Sequence, residues 1–314
     1  MPFVFGPVPS RRLGLSLGID LIPSKTCTYD CLYCQVGRTT SKTIKTASFA
    51  PVGDVIDEIE MKLGGCDPDV ITLSGSGEPT LNSDIEQVIA AIKKMTEKRV
   101  VLLTNGSLFW KKEIRKRALN ADIVMPTLTS AFENTFREIH RPHPKLKLDV
   151  IIDGLETFRR DYKGQLFLEV VMLAGINDSD EEIESLKMLA DRISPDMIHL
   201  NTVVRPPADS RAMPLDRRRL EDIRIFLGNK TEIVAGDPVA GKRKKRDSMA
   251  VSLLDMIRRR PLKPVDISNT LSLSLEEVEG LVKGLVIKGY VRKQEHSGEI
   301  YYVSNLQSEV TGKP

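Results

Sequence analysis

The chain has 314 residues, 41% hydrophobic and 28% charged, with a net charge of +3. That balance excludes a disordered or fibrous chain, and so small a charge does not by itself imply a nucleic-acid partner. No run reaches the roughly 18 uninterrupted apolar residues of a membrane span, and the opening MPFVFGPVPSRR lacks a signal peptide's apolar core, so the expected setting is cytoplasmic, without a membrane partner.

Apolar, β-rich runs recur along the chain: LSLGIDLI near 15–22, DVITLSG at 69–75, VVLLTNG at 100–106, DIVMPTLT at 122–129, LFLEVVMLAGI at 166–176 and MIHLNTVV at 197–204. Between them lie stretches of helical period such as VGDVIDEIEMKL, SDIEQVIAAIKKM and EEIESLKMLADRI. Strand alternating with helix predicts a parallel sheet, and strands apolar on both faces predict helices outside and a filled interior. The expected fold class is therefore α/β, a partial (β/α)6-type barrel whose chemistry sits at the C-terminal ends of its strands.

The basic run GKRKKRD at 241–247 packs five cations into seven positions and reads as a junction. Beyond it, SMAVSLLDMIRRR, VDISNTL, SLEEVEGLVKGLVIKG and YVRKQEHSGEIYYV give three short helices and a hairpin, the pattern of a small winged helix-turn-helix domain. Ser274 is the expected N-cap of the last helix, with Glu277 three places on, and the hairpin turns at His296-Ser297-Gly298. The expected domains are a catalytic barrel at 1–238, a basic linker at 239–247, a winged-helix-like domain at 248–305 and a disordered tail at 306–314.

Four cysteines, three of them within eight positions, do not resemble a disulfide framework for a chain this long. Cys27, Cys31 and Cys34 form a C-x3-C-x2-C set directly after the first of these strands, and metal binding is the better reading. Tetrahedral zinc normally takes a fourth ligand nearby, and none follows at finger spacing, though a zinc-stabilised binding protein stays an alternative. Three cysteines leave one iron of a four-iron, four-sulfur (4Fe-4S) cluster open to substrate.

This C-x3-C-x-aromatic-C segment resembles the signature of the radical S-adenosylmethionine (radical SAM) superfamily. The resemblance implies that the open iron is chelated by the amino and carboxylate groups of S-adenosyl-L-methionine. An electron from the cluster then cleaves the cofactor to a 5′-deoxyadenosyl radical, which abstracts hydrogen from a substrate. It also implies that Tyr33 lies against the adenine, and that a reductant such as a flavodoxin or ferredoxin is a partner.

Ser74-Gly75-Ser76-Gly77-Glu78-Pro79 offers a tight turn, close backbone approach and one carboxylate. It resembles the family's GGE-type motif, which implies cofactor binding by Gly75, Ser76, Gly77 and Glu78; a plain turn with a helix-capping Glu is the bland alternative. Thr104-Asn105-Gly106 is either a contact to the cofactor's ribose or carboxylate, or a common Asn-Gly turn. Glu169, expected inside the barrel, needs a partner and is either ion-paired or a substrate contact. His140, Arg141, His143 and Arg205, in Pro-rigid segments, are candidate substrate determinants or parts of solvated loops. The lone Cys66 reads as packing.

The resemblance covers approximately residues 10–235 and extends loosely to the branch with the wyosine-forming tRNA enzymes. With only Cys66 to spare, a second cluster is not expected. The C-terminal domain offers RNA or DNA contact through residues 242–303. Its last helix carries Glu276, Glu277 and Glu279 against Lys283 and Lys288, a poor phosphate-binding face, so Arg292, Lys293 and the linker from Lys242 to Arg246 are the better candidates. Docking of a protein is the other use of such a domain. A cluster-bearing, redox-sensing transcriptional regulator is the rival to the enzyme.

Overall fold

The computed structural model describes residues 2–235, 249–271 and 273–305. The chain opens with a hairpin, β1 (Val4–Ser10) and β2 (Gly14–Ile19), and passes through two short paired strands, β3 (Thr26–Cys27) and β4 (Ser41–Lys42). It then alternates as α1 (Val52–Leu63), β5 (Val70–Leu73), α2 (Ile85–Met95), β6 (Arg99–Thr104), α3 (Lys112–Ala118) and β7 (Ile123–Pro126). After α4 (Glu133–His140) and α5 (Leu148–Asp161) come β8 (Gln165–Met172), α6 (Asp180–Ile193), β9 (Met197–Thr202), α7 (Arg217–Leu227) and β10 (Thr231–Ile233).

The sheet order is β1-β2-β5-β6-β7-β8-β9-β10, parallel from β2 onward with β1 antiparallel at the edge. The six expected strands are β2 and β5 to β9. Strand parity sorts their side chains. Ile71, Leu73, Val100, Leu102, Val124 and Leu168 face the helices, where α2 returns Ile85, Val88, Ile89 and Ile92 at helical spacing. Val70, Val101, Ile123, Met125 and Phe167 pack together on the opposite face as an apolar floor. On that inner face stand polar groups, including Thr72, Glu169 and Asn201, which line a cavity.

Two strands of this sheet escaped the pattern. β1 carries Pro7 and Pro9, residues that suit only an edge strand, and its register slips between Phe5 and Val8. β10 is three residues long, too short to show a period.

The C-terminal unit comprises α8 (Met249–Arg259), α9 (Pro264–Leu271), α10 (Leu275–Ile287) and the hairpin β11 (Val291–His296) with β12 (Glu299–Ser304), an arrangement consistent with a winged-helix-like module. Ser274 and Glu277 form the expected capping box on α10. Ser297 and Gly298 turn the hairpin, both with positive φ. Leu253, Met256, Ile257, Ile267, Val278, Val282 and Tyr302 form the module's core, which Val8 of β1 joins. Among the described residues no helix is long and apolar enough to cross a membrane.

Candidate active site

A cavity of about 400 Å³ opens at the C-terminal strand ends and is lined by Cys27, Cys31 and Cys34, by Gly75, Gly77 and Glu78, by Thr104 and Asn105, and by Tyr33. Ser76 stands behind this wall: its backbone N–H and hydroxyl both donate to Asp20, at 3.1 and 2.7 Å.

The cysteine loop is clamped onto the end of α4. Asp30 N–H donates to the His140 carbonyl at 2.9 Å, Leu32 N–H to the Ile139 carbonyl at 2.8 Å, and Arg141 Nε to the Asp30 carbonyl at 2.7 Å. Arg141 ends α4 in the left-handed region, φ 41°, and its guanidinium pairs with Asp209 at 3.0 Å. His140 is buried among the rings of Tyr29, Phe136 and Tyr33, its Nδ1 3.2 Å from Cys31 Sγ, and burial brings its pKa down to about 3, so the imidazole is neutral. His140 and Arg141 are thus supports of the cysteine loop and do not line the cavity, as the expectation for substrate determinants required. His143 takes its place in the same clamp, donating its N–H to the Thr28 carbonyl. Arg205 does line the cavity, paired with Asp266 at 2.9 Å.

Burial raises all three thiols, Cys27 to about 12 with the charge of Glu78 adding to the effect, so without a cation they hold their protons. Lys25 Nζ is buried with no hydrogen-bond partner, in the field of Cys34 and Asp30. Among the described residues no three His, Cys, Asp or Glu side chains converge where a single ion would sit. A cluster asks for a different arrangement, because each thiolate binds a different iron. Three unpaired cysteines facing one cavity beside an orphaned ammonium fit such a group.

The glycine turn lies against β3. Glu78 N–H donates to the Thr26 carbonyl at 3.2 Å and Lys25 N–H to the Ser76 carbonyl at 2.9 Å. A Cβ on Gly77 would meet the Thr26 oxygen at 1.9 Å, and Gly75 has φ +138° with Asp20 where its Cβ would stand. The Glu78 carboxylate is buried. Oε1 accepts from Thr80 N–H at 3.0 Å and from the hydroxyls of Thr80 and Thr104 at 2.6 Å each, while Oε2 accepts from Asn105 N–H at 2.7 Å. Glu78 therefore caps the short 3-10 turn Pro79–Leu81 and also walls the cavity. Burial pushes its pKa up against the pull of those donors.

Glu169 faces inward and pairs with Arg12, with Asn201 donating at 3.1 Å and Thr127 at 3.3 Å. Burial opposes its charge, yet Arg12 and Asn201 hold it below the usual carboxylate range. Arg12 and Asp20 carried no sequence signal beyond Ser-Arg-Arg and an aspartate at a strand end. Cys66 packs at the end of α1, its thiol donating to the Lys62 carbonyl at 3.0 Å.

Residues 21–188 match the family model described as the radical SAM superfamily, a span that includes the cysteine loop, the glycine turn, Asn105 and Glu169. This chain belongs to the radical SAM superfamily. It is 32% identical over 323 residues to a UPF0026 protein of Methanocaldococcus jannaschii, covering 98% of each chain. It is 36% identical over 308 residues to a protein named GTPase Obg in Brachyspira hyodysenteriae, a match covering 96% of this chain and 45% of that protein, so it spans less than half of that relative. A crystal structure of a radical SAM methyltransferase from Sphaerobacter thermophilus superposes with a TM-score of 0.52 at 16% identity, over 69% of this chain and 65% of that one, and shares the fold. These similarities carry the superfamily and no narrower branch, the wyosine-forming one included.

Proposed function

We propose that the chain is a radical SAM enzyme in which Cys27, Cys31 and Cys34 hold a 4Fe-4S cluster. In this reading Tyr33, Gly75, Ser76, Gly77, Glu78, Thr104 and Asn105 bind S-adenosyl-L-methionine for hydrogen abstraction from a substrate. The observation that carries it is one hydrogen-bonded run from Glu78 through Thr104 and Asn105 to Thr28 and Cys27, which ties the glycine turn, the end of β6 and the cysteine loop to one cavity.

When bound, cluster and cofactor supply a one-electron reductive cleavage and a hydrogen-abstracting power that no side chain offers. The chain's part is to hold and orient. Three cysteines leave one iron open. The neutral His140 fixes Cys31, and Lys25 offsets negative charge beside Cys34. Oε2 of Glu78, with one donor, has room to accept an ammonium. Tyr33 offers its ring to a purine, and the apolar floor keeps water from below.

The same reading divides the chain into a barrel at 1–238, a linker at 239–247, a winged-helix-like domain at 248–305 and a tail at 306–314, and names a flavodoxin or ferredoxin as electron donor. Of the candidates for RNA or DNA contact, Arg292 and Lys293 are exposed on β11, while 242–246 lie outside the described residues. The test is anaerobic reconstitution with iron and sulfide, reduction, addition of the cofactor and quantification of 5′-deoxyadenosine, beside a Cys27→Ala/Cys31→Ala/Cys34→Ala control. Product from the wild type alone supports the enzyme. A cluster without cleavage returns the chain to the redox-sensor reading.

A further inference from the structure

The C-terminal module spans the gap between the two ends of the open sheet. On one side α8 and α9 pack against β1. On the other, past the end of β9, the Tyr301 hydroxyl donates to the Val204 carbonyl and Asp266 pairs with Arg205, both charges buried. The end of α8 thereby becomes a wall of the catalytic cavity, and Arg259 and Arg260 line it together with Arg11, Arg12 and Arg205.

Three of these five arginines have carboxylate partners: Arg12 with Glu169, Arg205 with Asp266, and Arg259 with Asp20. Among the described residues Arg11 and Arg260 form no ion pair; Arg11 donates to the Val234 carbonyl at 3.3 Å and Arg260 to the Pro9 carbonyl at 3.4 Å. Burial, with repulsion from Arg205, brings Arg260 down to about 9 and Arg11 down to about 10, against the pull of Asp266 on both and of Glu169 on Arg11. A half-buried cation whose nearby carboxylates are already paired with other arginines costs stability. Folding does not ask for two of them around one cavity, whereas a ligand carrying negative charge does.

We infer that Arg11 and Arg260 bind the phosphate of a small phosphorylated substrate, enclosed between the barrel and the C-terminal module. Two guanidinium forks without carboxylate partners match a dianionic phosphate better than a single carboxylate. A nucleic-acid strand fits less well. The module walls the cavity on the side of these arginines, and the exposed face of α10 presents Glu276, Glu277 and Glu279. The inference deepens the radical SAM reading by naming its substrate class, and it is testable by binding alone.

The experiment is equilibrium dialysis of the anaerobically reconstituted full-length chain against inorganic pyrophosphate, with the cofactor absent and then present. Saturable binding is expected, weakened at least about tenfold in Arg11→Met and in Arg260→Met, the loss of one charge-assisted contact. The melting temperature of Arg260→Met is expected to hold or rise, because the variant removes a half-buried cation with no ion pair of its own; a merely structural arginine would lower it. Should Arg260→Met fail to fold, Arg260→Lys keeps the charge, loses the fork and reads the same contact. The inference is overturned by absent saturation, by binding in the two variants as tight as in the wild type, or by binding that tightens with the length of an RNA oligomer. Displacement by S-adenosylmethionine also overturns it, since that would give the arginines to the cofactor. A preparation that cleaves the cofactor but leaves pyrophosphate free sinks the substrate class alone. One that binds pyrophosphate at these arginines but forms no 5′-deoxyadenosine sinks the radical reading alone.

Discussion

The side-chain amide nitrogen of Asn105 stands 3.7 Å from the sulfur of Cys27, joining the end of β6 to the first cysteine of the loop. An N–H directed at a cluster sulfur stabilises the reduced, more negative state. Asn105→Ala is expected to move the midpoint potential downward by roughly 40 mV, a hydrogen bond of about 1 kcal/mol acting on a one-electron couple. An EPR-monitored redox titration checks this, and an unmoved midpoint would leave Asn105 as a simple turn residue.

His199 lies on the inner face of β9 against Phe167, and burial, helped by the charge of Arg12, lowers its pKa from 6.5 to about 4. Its folded pKa is below its unfolded one, so between these values the unfolded chain binds the extra proton. The contribution to stability is complete above about pH 6.5 and is lost as the pH falls toward 4, up to roughly 3 kcal/mol. Urea midpoints measured across that range should fall with acid in the wild type. His199→Phe should show a shallower slope.

The cysteine spacing was legible because all three cysteines lie within eight positions, and the barrel was legible because each strand and helix carries its own period. What tertiary structure alone brings together was not. Asp20 receives Ser76 from one side and Arg259, 239 positions away, from the other, and no local pattern announces such a pairing. His140 looked like part of a polar loop, since Arg-Pro-His-Pro follows it, yet it closes the buried face of α4 as the preceding Phe136 and Ile139 do. Glu78 was visible as a carboxylate after a glycine turn, but two of its donors, Thr104 and Asn105, come from the end of a different strand. The capping box on α10 was readable because both partners sit within four residues.

Arg205 and Asp266 form a buried ion pair between the segment after β9 and α9. Removing one partner leaves the other charged and dry, so Arg205→Ala is expected to cost about 3–5 kcal/mol. Arg205→Ala/Asp266→Ala should recover much of that loss, the non-additivity of residues in contact. Denaturant midpoints of the two single variants and the double variant measure the coupling. Amide exchange in α9 and β1 should rise most in Arg205→Ala, because the module would loosen from the barrel.

Glycines at the two ends of the chain's architecture should respond in opposite directions to the same substitution. At Gly77 a Cβ would sit 1.9 Å from the Thr26 carbonyl oxygen, a backbone atom that cannot step aside, so Gly77→Ala must push β3 and the cysteine loop away from the glycine turn. The loss should exceed about 3 kcal/mol and should appear also as lower iron content after reconstitution. Gly280 lies within α10, exposed, with nothing within 4 Å of its added Cβ. There alanine only restricts the unfolded chain and favours the helix, so Gly280→Ala should stabilise the C-terminal module by about 0.5–1 kcal/mol. Thermal melts of both variants read the contrast. If Gly77→Ala kept the wild-type melting temperature and iron content, the close contact of the glycine turn with β3 would not be what holds the cysteine loop in place.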